Sequence, residues 1–242
     1  MGKSNSEVGH AKNAANLVKL QEITVEMGPL YQPANTNIQP AALNTFTQKV
    51  TENAAQFSAQ IKPYQNAIAA REDLFKPLFK LNTKVLNSFK AFQPSDNIEQ
   101  ILINLVKKLK GERIKPIKED KTETEKNKHI SVAQLSYDSQ ISHFEDIIAF
   151  LATQPQYTPN ETELTIASLR QYLEALKATN KLASQMTVKL ITIRIQRNKL
   201  LYNDPVNVID LADTVKNYLK SVEDAKDYYK AAVKLKFTTI IP

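Results

Sequence analysis

The side chains best suited to chemistry in this chain are three histidines, two arginines in matching surroundings, a few paired carboxylates and a run of lysines. His10, His129 and His143 are the candidates for binding a metal or carrying a proton. None has a second histidine at the i, i+4 spacing that sets two imidazoles on one helix face. His143 has Glu145 and Asp146 close by, a spacing that does not preform a site, so it reads as a boundary histidine. No Glu-x-x-His motif is paired across helices as a di-iron bundle needs. Glu145-Asp146, Glu223-Asp224 and Asp227 lie on polar helix flanks, without the apolar setting that raises a carboxyl pKa for general-acid work. Gly28 and Gly111 stand alone, so there is no glycine loop to cradle a phosphate. The chain has no Cys, which excludes disulfides, thiolate metal sites and cysteine nucleophiles. These residues predict no catalytic activity, no metal and no cofactor.

Arg71 and Arg197 recur in one context, Arg-x-x-Leu followed by an apolar residue, near the ends of two long apolar-striped segments. A guanidinium there can grip an anion or a partner carboxylate bidentately. It can also close an intramolecular salt bridge that fixes helix register, the commoner use. Lys107, Lys108, Lys110, Arg113 and Lys115 form a basic cluster, to which Lys234 and Lys236 add a second. Together they are the candidate contact for a polyanion, although Glu112, Glu119, Asp120, Glu123 and Glu125 offset the first.

Formal net charge is +7 over 242 residues, enough for mild attraction to anionic partners. Apolar residues make up 42%, which supplies a core, while four Gly are few for a sheet protein. The N-terminal residues lack the apolar centre of a signal peptide, and no apolar run approaches the roughly 20 residues of a membrane span. The expected location is the cytoplasm, with export by a signal-less route left open.

The elements that must carry these residues are helices. From Thr158 to Tyr202 there is neither Gly nor Pro beyond Pro159, and Leu164, Leu169, Leu173, Leu176, Ala183, Leu190, Ile193, Arg197 and Leu200 mark one stripe. Thr158, Pro159 and Glu161 read as its capping box, and as a single helix it would span roughly 60 Å. Other helices are expected over 8–27, from Pro40 to about Lys76 with a kink or interruption at Pro63, and over 78–92. More follow over 97–110 (capped by Asp96 with Glu99), over 132–152 (capped by Ser131) and after Asp204-Pro205. On 8–27 the buried side is expected to be Ala11, Ala15, Val18, Ile23 and Met27. Tyr31 and Tyr157 should pack connectors against helix ends with their hydroxyls at water. The apolar end of the chain, 237–242, reads as a strand-like tail.

A shift of 126 residues superposes the two parts of the chain without a gap. Tyr31 falls on Tyr157, Pro33 on Pro159, Leu43 on Leu169, Ser58 on Ser184 and Arg71 on Arg197. Lys108-Leu109-Lys110 falls on Lys234-Leu235-Lys236. The pattern predicts an internal duplication: a helical half over 1–110, a polar exposed linker over 111–129, and a second helical half over 130–242. The segments Ile130-Ser-Val-Ala-Gln-Leu-Ser-Tyr-Asp138 and Arg197-Asn-Lys-Leu-Leu-Tyr202 resemble helical proteins of unknown role from Bacteroidetes-type bacteria. That resemblance implies a bacterial source and carries no activity.

The sequence therefore predicts an all-α fold, an elongated antiparallel helical bundle with long coiled-coil-like central helices. Its expected function is a non-catalytic scaffold or protein-interaction module whose partner is a protein, either another copy or a different chain. The alternatives are a polyanion- or nucleic-acid-binding protein and a membrane-acting, toxin-like bundle without a transmembrane segment. For the last, Val188 to Ile195 is the best apolar stretch.

Overall fold

The computed structural model describes residues 5–112 and 135–240. Among them there is no β-sheet. Eight α-helices follow in order: α1 (Asn5–Glu26), α2 (Pro40–Phe75), α3 (Leu78–Ala91), α4 (Asp96–Lys110), α5 (Tyr137–Ala152), α6 (Ile166–Asn198), α7 (Val208–Ser221) and α8 (Lys226–Lys234). The two long ones, α2 with 36 residues and α6 with 33, shelter side chains at a seven-residue repeat. In α6 this runs through Leu169, Leu176, Ala183, Leu190 and Arg197, with Leu173, Asn180, Thr187 and Arg194 between. Such spacing keeps one narrow stripe inward along a helix. Pro63 lies within α2, and the helix continues past it.

Several helix starts differ from expectation. Thr158 and Glu161 do not open α6. A 3₁₀ turn over Thr162–Leu164 comes first, and the Thr165 hydroxyl accepts from the Ser168 amide at 3.3 Å to begin the helix. The far end is not plain α-helix either, because a π turn over Lys199–Asn203 follows it. Asp96 is the first residue of α4, and Ser95 holds the cap position without a side-chain bond. Helix α5 begins at Tyr137, capped by Ser136, whose hydroxyl accepts from the Ser139 amide. Ser131 lies outside the described residues, and Leu135 is exposed rather than inside the helix. Asn207, not Asp204, caps α7 by accepting from the Asp210 amide at 3.0 Å. At α5, α6 and α7 a local side-chain oxygen nearer the first buried turn satisfies a free amide.

The chain forms two compact units. One comprises Met1–Pro63 with Thr187–Pro242, the other Tyr64–Met186, so both boundaries fall inside α2 and α6. The first unit has a core of Leu17, Leu20, Leu43, Val50, Leu201, Val208, Leu211, Val215 and Leu219. The second has Phe75, Leu78, Val85, Phe89, Leu102, Phe144, Ile147, Leu151 and Leu169. In the second unit α4 packs on α3 and α5, and in the first α7 packs on α1 and α8. Thus the expected parts 1–110 and 130–242 each contribute to both cores. Of the expected linker, only Gly111 and Glu112 are among the described residues. Gly111 takes φ 69° to end α4 in the left-handed cap conformation.

The first half of helix α1 buries a face other than the one expected: Ala11 and Ala15 are exposed, while His10, Asn13, Asn16, Leu17 and Leu20 point inward. Toward its end Thr24 joins them, and Met27 is buried and Ile23 packs against the core as expected. The helix starts at Asn5, ahead of the expected 8–27, and so includes Glu7, which pairs with Arg197. Residues 236–240 have no regular structure beyond the start of the tail, yet they are tied to α1. Asn16 Nδ2 donates to the Lys236 carbonyl at 2.7 Å and Asn13 Nδ2 to that of Thr238 at 2.8 Å. The Thr238 amide donates back to Asn13 Oδ1 at 3.1 Å.

Candidate functional site

In the first unit, α1, α2 and the end of α6 surround a cavity of about 180 Å³. Leu200 and Leu201 of the π turn, Val50 and Phe57 of α2, and Ala11 and Ala14 of α1 give it apolar walls. Glu7, His10, Asn53, Ser58 and Arg197 supply polar groups. Arg197 is held on three sides of its guanidinium. Its Nη1 donates to Glu7 Oε2 at 2.7 Å, while Nε and Nη2 donate to Asn198 Oδ1 at 3.2 and 3.1 Å. Arg194 Nε stands 3.7 Å from the other Glu7 oxygen. The Phe57 ring centre is 5.6 Å from the Arg197 guanidinium carbon and 5.7 Å from that of Arg194.

His10 completes this network. The Tyr202 hydroxyl lies 2.8 Å from His10 Nδ1 and accepts from Asn13 Nδ2 at 3.1 Å. A hydroxyl donates one hydrogen bond and accepts up to two, so the direction of the His10–Tyr202 bond follows the imidazole tautomer. Burial lowers the His10 pKa below its ordinary value, the Arg197 charge lowers it further, and Glu7 opposes both. Burial raises the Tyr202 pKa against the pull of the Asn13 hydrogen bond and of Arg197. Glu7 does not stand out in the sequence because it falls in a polar N-terminal stretch, and the Glu-x-x-His spacing of Glu7 with His10 has no paired counterpart on a second helix. Nearly the whole chain separates them from Arg197 and Tyr202, and folding closes that distance to make a site.

Arg71 has a different setting in the second unit. Its Nη1 donates to Asn180 Oδ1 at 3.2 Å, and Asn180 Nδ2 donates in turn to Asp138 Oδ1 at 2.7 Å. The guanidinium carbon lies 4.1 Å from the Tyr137 ring centre, and that ring meets Phe75 edge-on at 4.7 Å. The two expected arginines thus occupy separate units, one ion-paired beside a cavity and the other covered by an aromatic ring.

Tyr31 and Tyr157 do not leave their hydroxyls at water. Tyr31 donates to the Ile38 carbonyl at 2.8 Å, and Tyr157 donates to the Leu164 carbonyl at 2.9 Å; both bonds are buried. Each ring meets a second aromatic: Tyr31 meets Tyr218 at 5.2 Å, and Tyr157 meets Phe92 at 5.9 Å. Burial, with the nearby Glu161 charge, pushes the Tyr157 pKa up to about 12, against a hydrogen bond to Ser88. Burial also raises Tyr31, with Tyr218 adding to it. These tyrosines clamp the 3₁₀ turns at Thr36–Ile38 and Thr162–Leu164 ahead of α2 and α6.

The lysines fall in different units. Lys107, Lys108 and Lys110 occupy the last turn of α4 in the second unit, where positive charge suits the helix C-terminus. Lys234 and Lys236 are exposed at the end of α8 and the start of the tail in the first unit. Arg113, Lys115 and His129 lie outside the described residues. His143 is half-buried, with Nδ1 3.9 Å from Asp146 Oδ2. Among the described residues no cluster of three or more His, Asp or Glu is placed to hold a metal, and no helix is long and apolar enough to cross a membrane. No family model, no curated protein and no solved structure matches the chain.

Proposed function

We propose that the protein is a non-catalytic helical scaffold that binds another protein through the outer face of α6. One observation carries this reading. Val188, Ile191 and Ile195, spaced three and four residues apart, share a helix face and are 62%, 47% and 54% exposed. They lie opposite the buried Leu190 and Ile193, so α6 is apolar on two sides. Exposed Lys189 and Lys199 border the stripe, and together with the net charge they suit a partner helix that carries acidic residues beside its own apolar stripe.

The test is a photo-crosslinking residue placed at 188 or 195 and, as a control, at the exposed position 62. A discrete protein adduct is expected from 188 and 195 only. It should disappear in Ile191→Glu while the melting temperature stays within about 2 °C, as for other surface changes. An adduct that survives Ile191→Glu, or none at all, would sink this reading. Retention on heparin that depends on Lys107 and Lys108 would favour a polyanion partner instead, and dye release from anionic liposomes would favour a membrane role.

On this reading the chain is also an internal duplication whose central helices use coiled-coil spacing. Landmarks 126 residues apart support it. Helices α1 and α5 end at Glu26 and Ala152, the 3₁₀ turns end at Ile38 and Leu164, and α2 and α6 begin at Pro40 and Ile166. The tyrosine clamps of the two connectors obey the same offset, donor and acceptor alike.

A further inference from the structure

We propose that the cavity beside Arg197 binds a small neutral aromatic molecule bearing a hydroxyl, of about the size of a phenol, seated where the second unit places the ring of Tyr137.

The two arginine settings can be compared position by position at the 126-residue offset. Arg197 corresponds to Arg71, Ala11 to Tyr137, Ala54 to Asn180 and Leu201 to Phe75. In the second unit, Tyr137 and Asn180 fill the space around the guanidinium, one with a ring 4.1 Å from its carbon and the other with a hydrogen bond. In the first unit, alanine stands at both positions, and an open cavity of about 180 Å³ lies there instead. Phe57, which corresponds to Ala183, approaches Arg197 only to 5.6 Å and leaves that volume empty. An apolar protein cavity of about 150 Å³ is known to hold benzene, so one flat ring fits.

The chemistry of the walls narrows the class. A guanidinium attracts an aromatic face, and Glu7 with Asn198 already fixes the plane of this one. The Glu7 carboxylate occupies Arg197 Nη1 at 2.7 Å, so a second carboxylate there would meet a like charge at the guanidinium edge. A neutral ring is therefore favoured over an anion. His10, Asn53 and Ser58 provide hydrogen-bonding partners for one hydroxyl, and the remaining walls are apolar. This holds whatever the origin of the repeat, and it is independent of the α6 stripe.

The probe is p-cresol, the free form of the tyrosine side chain, titrated into the full chain with methyl NMR as the readout. Saturable one-site shifts are expected at the methyls of Val50, Leu200 and Leu201. Ala11→Tyr, which supplies the ring from α1, should weaken binding at least tenfold, and p-toluate should bind at least tenfold more weakly than p-cresol. If Ala11→Tyr does not fold, Ala54→Leu closes the same space from α2 and should give the same loss. Absence of saturable shifts at those methyls in the unmodified protein would overturn the proposal. So would binding that stays within twofold in a folded cavity-filling variant, or tighter binding of p-toluate.

Discussion

His10, Asn13 and Asn16 lie on the inner face of α1, where a helix normally presents aliphatic side chains. Each is satisfied by a group near the other end of the chain: Tyr202, the Thr238 carbonyl and the Lys236 carbonyl. Buried polar groups are tolerated only when so paired. The neutral form of His10 is the one that folding favours, with Arg197 and Glu7 as the nearest charges and Tyr202 as its hydrogen-bond partner. Since its folded pKa lies below the unfolded value of 6.5, the unfolded chain takes up the proton first as pH falls. The stability it contributes is present above pH 6.5 and is lost below it. Thermal melts between about pH 7.5 and pH 5 should show a decline from this residue. His10→Gln, which keeps a hydrogen-bonding partner for Tyr202 but cannot titrate, should flatten the decline, and an identical slope in both proteins would refute the assignment.

In the long helices periodicity is readable from the sequence, whereas helix starts and the buried face of the first half of α1 are not. The stripe Leu164 to Leu200 is sheltered in the structure as expected, because large apolar groups recurring every three and four residues fall on a single side only when the backbone is helical. Starts depend on which of several neighbouring Ser, Thr, Asn or Asp side chains reaches a free amide, and 158–165 and 204–207 each offer more than one. Thr158 fits a capping box by spacing, but the Tyr157 clamp on Leu164 holds that stretch as a connector and delays α6 to Ile166. Capping energies separate the candidates. Asn207→Ala should cost about 1 kcal/mol in urea unfolding, since it removes the bond to the Asp210 amide. Thr158→Ala should stay within about 0.5 kcal/mol. Equal losses from the two substitutions would contradict the observed starts.

At the scale of the molecule, both cores draw on both parts of the chain. The first unit joins Leu17, Leu43 and Val50 to Val208, Leu211 and Val215, and the second joins Leu78, Phe89 and Leu102 to Phe144, Ile147 and Leu169. A fragment ending at residue 112 would carry only one side of each core, and so would a fragment beginning at 135. With the apolar area of each core left uncovered, neither fragment should melt cooperatively by circular dichroism. An equimolar mixture should regain a sharp transition. A fragment that folds alone would show that its half contains a complete core.

Sequence alone determined the helical class, the long segments and their apolar stripes, because all of these are patterns of residue type along the chain. Only the tertiary structure decided that Arg197 meets Glu7, that Arg71 lies under Tyr137, and that a cavity opens beside Ala11, Ala54 and Arg197. Those outcomes depend on which distant side chains meet and on the volume left between them, quantities that periodicity does not encode.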